Sequence, residues 1–160
     1  LTGLLNLRGL SSIVEEEIAR TKRYHHPFTI AYIDIDDFKA INDTKGHCEG
    51  DRILCKLAKI ITTSFRESDY ISRIGGDEFV CLLPETKQPD AKVVFDKLQR
   101  NLDEEFNAED AIVTFSIGVV TFESAPPNTQ TALALVDKVM YRVKKLHKND
   151  AAFQVYSSTQ

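Results

Sequence analysis

Phe28-Thr29-Ile30-Ala31-Tyr32-Ile33 is a nearly unbroken apolar run, and it ends in acid at Asp34-Ile35-Asp36-Asp37. On a half-exposed edge strand, polar side chains would alternate with apolar ones. A continuous run reads instead as a central strand covered on both faces. Three acids at the end of such a strand need a reason. Asp34 and Asp36 are two apart, so they project to the same side while the chain stays extended. Asp36 or Asp37 is a good N-cap for a helix starting at Phe38-Lys39-Ala40-Ile41. Capping accounts for one acid and leaves Asp34 unexplained.

A second acidic cluster lies in Gly75-Gly76-Asp77-Glu78-Phe79. Tyr70–Ile74 and Phe79–Leu83 flank it, both short and rich in β-branched, aromatic and aliphatic residues. Two such runs joined by glycines predict a β-hairpin, with the glycines supplying the positive φ of a tight turn. Asp77 and Glu78 then crowd one another at its tip, where each raises the other's pKa unless a cation intervenes.

The other elements follow from periodicity. Ser11 or Ser12 is the expected cap of a first helix with Leu10, Val14, Ile18 and Ala19 near one face, ended by His25-His26-Pro27. After a short helix, Asn42–His47 reads as a polar loop. Gly50-Asp51 then precedes a long helix carrying Leu54, Leu57, Ala58, Ile61 and Phe65 on one face. Pro84 to Pro89 is an expected loop. A helix follows from Asp90, with Ala91, Val94, Phe95, Leu98 and Leu102 inward. A strand is expected over Val113–Val120 and a short closing one over Phe153–Tyr156. Between them a last helix buries Ala132, Leu135, Val136, Val139, Met140 and Val143, and its other face and end are basic: Lys138, Arg142, Lys144, Lys145, Lys148. This order predicts an α+β fold of ferredoxin-like, palm-like type, with a mostly antiparallel sheet flanked by helices.

Composition narrows the function. A net charge of −4 argues against a nucleic-acid-binding surface. No apolar run approaches the ~20 residues of a membrane span, so no membrane contact is expected. Cys48, Cys55 and Cys81 form no C-x-x-C pair, which fits reduced thiols in a cytoplasmic setting. The abrupt start at Leu1-Thr2-Gly3-Leu4 suggests that residues 1–160 are one domain cut from a longer chain.

If the first strand pairs beside the hairpin, Asp34 and Asp77 meet at one edge of the sheet. Carboxylates converging from different strands suit Mg²⁺, whose shell is completed by water and phosphate oxygens. Polymerases and nucleotide cyclases use this layout. Lys39 and the basic last helix would supply charge to a triphosphate. Lys144 and Lys148, at i and i+4, can lie on one helical face, although a solvated surface is the default for such residues.

The chain resembles a GGDEF domain, the catalytic domain of bacterial diguanylate cyclases. Leu1-Thr2-Gly3-Leu4 with Asn6 and Arg8, Asp34–His47 with Gly50-Asp51, Arg73–Phe79, Phe115–Gly118 and Asp137–Lys145 match the family's blocks in order. The resemblance implies that two GTP condense to cyclic di-GMP on a homodimer, with two Mg²⁺ (or Mn²⁺) per active site. It makes Asp34, the Ile35 carbonyl and Asp77 metal ligands. Asp77 becomes the proton acceptor for the 3′-hydroxyl, Glu78 its support and Lys39 the stabiliser of transition-state charge. Asn42 and Asp51 would read guanine, with Phe38, His47 and the Gly75 and Gly76 backbone also at the nucleotide, and Lys144 and Lys148 would hold the triphosphate. Arg66 and Asp69 resemble an inhibitory R-x-x-D site for returning product. A helix terminus with a favourable Arg and a capping Asp is the plainer account of that pair.

Four positions depart from the pattern. Leu7 replaces a frequent Arg, Lys148 replaces a common arginine, and Leu146-His147 replaces a small-residue turn. Two other functions compete. A silent receptor for cyclic di-GMP is disfavoured by the intact Asp34, Asp77 and Glu78. A cyclase using ATP is disfavoured by Asp51.

Overall fold

The computed structural model describes residues 4–107 and 113–158, so Leu1-Thr2-Gly3 of the opening motif lies outside the described residues. In chain order the elements are α1 (Leu7–Tyr24), β1 (Phe28–Ile35), α2 (Phe38–Lys45), α3 (His47–Ser64), β2 (Tyr70–Arg73), β3 (Glu78–Pro84), α4 (Gln88–Asn107), β4 (Phe115–Phe122), α5 (Thr129–Leu146) and β5 (Ala151–Tyr156). The sequence implies the same order. The strands lie side by side as β2-β3-β1-β4-β5. Every neighbouring pair is antiparallel except β4–β5. The fold is therefore the expected α+β arrangement.

β1 occupies the centre, and all eight of its residues are buried. Its alternate side chains serve two cores. Ala31, Ile33 and Ile35 pack with Ile53, Leu57 and Ile61 of α3 and Phe95, Leu98 and Leu102 of α4. Phe28, Ile30 and Tyr32 pack with Leu10 and Val14 of α1 and Val136, Val139 and Met140 of α5. Each large aliphatic or aromatic side chain so buried contributes roughly 1.5–3 kcal/mol. Helices on both faces explain why β1 tolerates no polar alternation.

α5 lies unusually close to the sheet. A Cβ at Gly118 of β4 would stand 2.4 Å from the Met140 backbone nitrogen, so no larger residue fits there. This approach brings the C-terminal turns of α5 over the end of β1.

Several boundaries differ from the sequence expectation. α1 begins at Leu7, capped by Asn6, whose side chain accepts from the Gly9 N–H. Ser11 and Ser12 are inside the helix. Its buried stripe becomes Leu10, Val14, Glu17 and Thr21, and Ala19 is exposed. Asn42–Lys45 is helical rather than loop, and only Gly46, at φ 91°, separates α2 from α3. Gly50 and Asp51 therefore lie inside α3. α5 ends at Leu146, so Lys148 is off the helix at φ 40° and shares no helical face with Lys144. Among the described residues no helix is long and apolar enough to cross a membrane.

Candidate functional site

Strand parity aims the acids. Asp34 follows Phe28, Ile30 and Tyr32 in the alternation, so it faces α5. On β3, Val80 and Leu82 occupy that same face. Glu78 shares it and is the register partner of Asp34. Asp77 precedes Glu78, and its carbonyl accepts from the Ile35 N–H at 3.3 Å. The three predicted acids thus meet at the C-terminal end of β1. That point is in the middle of the sheet, not at its edge as the sequence alone suggests.

Burial makes these charges expensive. Asp34 is 5% exposed, and its carboxyl is pushed up to about 7 by that burial and by neighbouring Asp77, against the pull of Lys144. Lys144 Nζ sits 2.5 Å from Asp34 Oδ2. Asp34 Oδ1 is buried with no hydrogen-bond partner. The Glu78 carboxyl is also raised, first by burial, then by Asp137 and Asp77. The Tyr32 hydroxyl is raised by burial and by the same Asp137 and Glu78. Asp137 is a member of this cluster that the sequence reading assigned no role. Its signal was its place seven residues before Lys144 on α5, which puts both on one side of the helix.

The glycine turn is held differently from the expectation. Among the described residues Gly46 is the glycine with positive φ, and Gly75 and Gly76 have none. Ile74 N–H closes the hairpin on the Glu78 carbonyl at 3.1 Å. Arg73 Nε donates to the Gly75 carbonyl at 3.1 Å, and Arg73 Nη2 to that of Gly76 at 2.7 Å. A Cβ on Gly75 would press on Glu78 Oε2 at 3.3 Å, whereas one on Gly76 would meet nothing within 4 Å. The missing Cβ at Gly76 leaves open backbone facing outward.

A second cluster forms where α2 meets α3. A Cβ at Gly50 would lie 1.9 Å from Asn42 Oδ1 and 3.2 Å from Phe38 Cζ, so only glycine lets these two side chains sit there. Asn42 Oδ1 is buried without a partner. Asp51 is the next residue on α3 and is exposed, as are His47 at its start and Lys39 in the first turn of α2. Phe38 and Asn42 are thus gathered at Gly50, whereas Asp51, His47 and Lys39 are brought near them by chain position alone.

The remaining predicted residues act first as intramolecular partners. Asp37 occupies the cap position of α2 at φ 54°, but its side chain caps nothing. Instead Lys148 Nζ donates to it at 2.9 Å. Asp36 is no cap either. It accepts from Ser116 Oγ at 2.6 Å, Thr114 Oγ1 at 2.8 Å and the Asn149 N–H at 3.0 Å. Asp36 thereby ties the end of β1 to the loops flanking β4 and β5.

Arg66 and Asp69 meet one another. Asp69 Oδ2 accepts from the Arg66 N–H at 2.9 Å, and Asp69 Oδ1 from Arg66 Nη2 at 3.0 Å. The Asp69 side chain is 2% exposed and that of Arg66 59%. Nη2 also reaches Thr86 Oγ1 at 3.1 Å and the Pro84 carbonyl at 3.3 Å. A groove of about 550 Å³ lined by Leu4, Phe65 and Tyr70 adjoins the pair.

A divalent cation fits the first cluster. The unpartnered Asp34 Oδ1, the raised carboxyls and an ammonium lying on Asp34 all mark a place that wants positive charge. Among the described residues no group of three or more His, Cys, Asp and Glu side chains converges to hold a metal alone.

Comparison with known proteins gives consistent matches. A family model described as "Diguanylate cyclase, GGDEF domain" matches residues 1–150. The diguanylate cyclase DosC of Escherichia coli K12 is 35% identical over 153 residues, which are 93% of this chain and 33% of DosC. The active GGEEF domain of a diguanylate cyclase from Vibrio cholerae superposes with a TM-score of 0.83 at 27% identity, covering 98% of this chain and 99% of that one. A microbial GGDEF domain described for its interaction with cyclic di-GMP superposes with a TM-score of 0.81 at 26% identity, covering 95% of both chains. The chain spans less than half the length of the curated relatives it matches, and a third of DosC.

Proposed function

The chain belongs to the GGDEF domain family, and on that premise we propose that it is a diguanylate cyclase, condensing two GTP into cyclic di-GMP and two pyrophosphates. The observation that carries this reading is a pair of orphaned acceptors. Asp34 Oδ1 and Asn42 Oδ1 are both buried and unpartnered, a state that costs about 1–3 kcal/mol each. One is where a cation would sit and the other where a guanine N–H donor would.

The roles divide as follows. Asn42 accepts from guanine, and Asp51 accepts from N1–H and N2–H₂, a donor pair adenine lacks. Phe38 packs beside the base, and His47 lies at the mouth. The Gly75-Gly76 backbone lets the nucleotide approach closely. Asp34, the Ile35 carbonyl and Asp77 hold Mg²⁺ or Mn²⁺, two ions per site, which when bound polarise the α-phosphate and lower the hydroxyl's pKa. Asp77 takes the 3′-hydroxyl proton on a carboxylate oxygen, with Glu78 supporting it. Lys39 meets the charge that develops at the phosphate. Lys144 leaves Asp34, and Lys148 leaves Asp37, to hold the triphosphate.

One site holds one nucleotide, while the product joins two. Catalysis therefore needs a homodimer with the two sites facing. Product returns to Arg66 and Asp69 and inhibits. GTP as substrate places this work in the cytoplasm. The test is pyrophosphate release from purified protein with GTP and Mg²⁺, run across protein concentration. A rate per subunit that rises with concentration is expected. No release at high concentration, with cyclic di-GMP still bound, would make the domain a receptor instead.

A further inference from the structure

We propose that Arg73 is a positioning residue for the turn that carries Asp77 and Glu78, acting by clamping the two glycine carbonyls in front of them. The inference rests on the cyclase reading for its consequence and on the hairpin geometry for its substance.

A three-residue connection, Gly75-Gly76-Asp77, joins residues that pair through Ile74 N–H and the Glu78 carbonyl. Loops of this length usually include a residue in the left-handed region, which closes the turn by its own backbone. None of the three takes positive φ. The conformation must be held from outside, and its carbonyls show how. The Gly75 carbonyl accepts from Arg73 Nε and the Gly76 carbonyl from Arg73 Nη2. The Asp77 carbonyl accepts from the Ile35 N–H of β1. All three carbonyls of the turn are accounted for, two of them by one side chain.

Arg73 is itself anchored. Its backbone N–H donates to the Leu5 carbonyl at 3.1 Å, and Ser72 Oγ donates to the same oxygen at 2.8 Å. Leu5 and Ser72 form a parallel bridge. The planar guanidinium presents two donors in a fixed fork, so it sets the spacing of successive carbonyls as a flexible ammonium cannot. Asp77 is the residue after the second clamped carbonyl. Its carboxylate direction is therefore set from two sides, by Arg73 through the turn and by β1 through Ile35.

The discriminating variants are Arg73→Lys and Arg73→Ala, compared with wild type in three measurements: thermal unfolding, Mn²⁺ affinity by electron paramagnetic resonance, and GTP turnover. Both variants should fold. Arg73→Lys should change the KM for GTP far less than kcat, since Asn42 and Asp51 are untouched, and lose ~10- to 100-fold in kcat, the scale of a misplacement near 1 Å. Mn²⁺ should bind both variants more weakly. Ethylguanidinium at millimolar concentration should restore part of kcat to Arg73→Ala and none to Arg73→Lys. Wild-type kcat and Mn²⁺ affinity in Arg73→Lys would overturn the proposal. So would a loss in Arg73→Ala that only follows its folded fraction. If wild type releases no pyrophosphate, the cyclase reading fails by itself, and the Mn²⁺ comparison still decides the role of Arg73.

Discussion

Lys144 Nζ lies 2.5 Å from Asp34 Oδ2, so an ammonium lies on the carboxylate proposed to hold a divalent cation. The two cations then compete for one acid. Lys144→Met should remove the competitor and tighten Mn²⁺ binding. The same change should raise the KM for GTP ~10-fold, the effect of losing one charge-assisted contact of about 1.5 kcal/mol. Opposite signs in two titrations of one variant are the check. If both affinities fall together, Lys144 supports the metal site and does not compete with it.

Asp34 sets a pH dependence whose sign can be worked out. Its carboxyl rises from 3.8 in the unfolded chain to about 7 in the fold. Below about pH 4 both states carry the proton, and above about pH 7 neither does. Between them only the folded chain holds it, so metal-free stability falls as pH rises through this window and stays lower above it. Asp34→Asn should flatten the profile and raise Tm at pH 8 by a few degrees in EDTA, while abolishing turnover. Mn²⁺ should bind wild type more tightly at pH 8 than at pH 6. A metal-free Tm that climbs between pH 5 and pH 7 would contradict this account of Asp34.

Gly50→Ala tests the guanine pocket. The added methyl would stand 1.9 Å from Asn42 Oδ1 and 3.2 Å from Phe38 Cζ. Asn42 is half-buried and can swing aside, so the fold should survive with a loss on the order of 1–3 kcal/mol, as for other overpacked positions. The KM for GTP should rise at least ~10-fold with kcat nearly kept if, as proposed, the displaced group reads the base away from the reacting phosphate. A change in kcat alone would move Asn42 out of the base-reading role.

Asp36→Ala should be mainly a stability variant. Three donors converge on this buried carboxylate, and hydrogen bonds to a charged group contribute roughly 1.5–3 kcal/mol. Because they share one acceptor they do not add. A loss of about 3 kcal/mol in urea unfolding is expected, with Asp36→Asn intermediate. An unchanged midpoint would show that the brace is dispensable.

These cases show what the sequence could and could not disclose. β1 was legible because a continuous apolar run has few alternatives. Asp34 was legible because acid at the end of such a strand is costly. The brace at Asp36 was not, since its partners Thr114, Ser116 and Asn149 lie 78, 80 and 113 residues away and nothing local marks them. Capping was a sound guess for Asp36 or Asp37, but tertiary donors outbid the helix end. The start of α1 was misread because Asn6, Ser11 and Ser12 all suit a cap, and packing of Leu10 decides among them. Lys148 left the helix without a Gly or Pro to announce it. The glycine turn was located correctly, but its conformation depends on a guanidinium that composition cannot aim.

The resemblance treats Arg66 and Asp69 as equal partners in product binding. In the fold they are unequal. Asp69 is 2% exposed at its side chain and is occupied by the Arg66 N–H and guanidinium, whereas Arg66 is 59% exposed. The guanidinium is held by Asp69, the Pro84 carbonyl and Thr86 Oγ1, and the Asp69 contact raises its pKa further. Arg66 should therefore make the direct contact with cyclic di-GMP, and Asp69 should act by aiming it. Arg66→Ala should abolish inhibition of turnover by cyclic di-GMP and also lower Tm, since it leaves the buried Asp69 carboxylate with only the backbone N–H of residue 66 as a donor. Asp69→Asn can still accept from the Arg66 N–H, so it should weaken inhibition only partly, with the remaining loss recovered at low salt, where the exposed guanidinium attracts phosphate more strongly. Asp69→Ala should lower Tm, because it leaves a backbone donor without its partner. Equal and complete loss of inhibition in Arg66→Ala and Asp69→Asn, with the latter still fully folded, would place Asp69 on the ligand itself and refute the unequal roles.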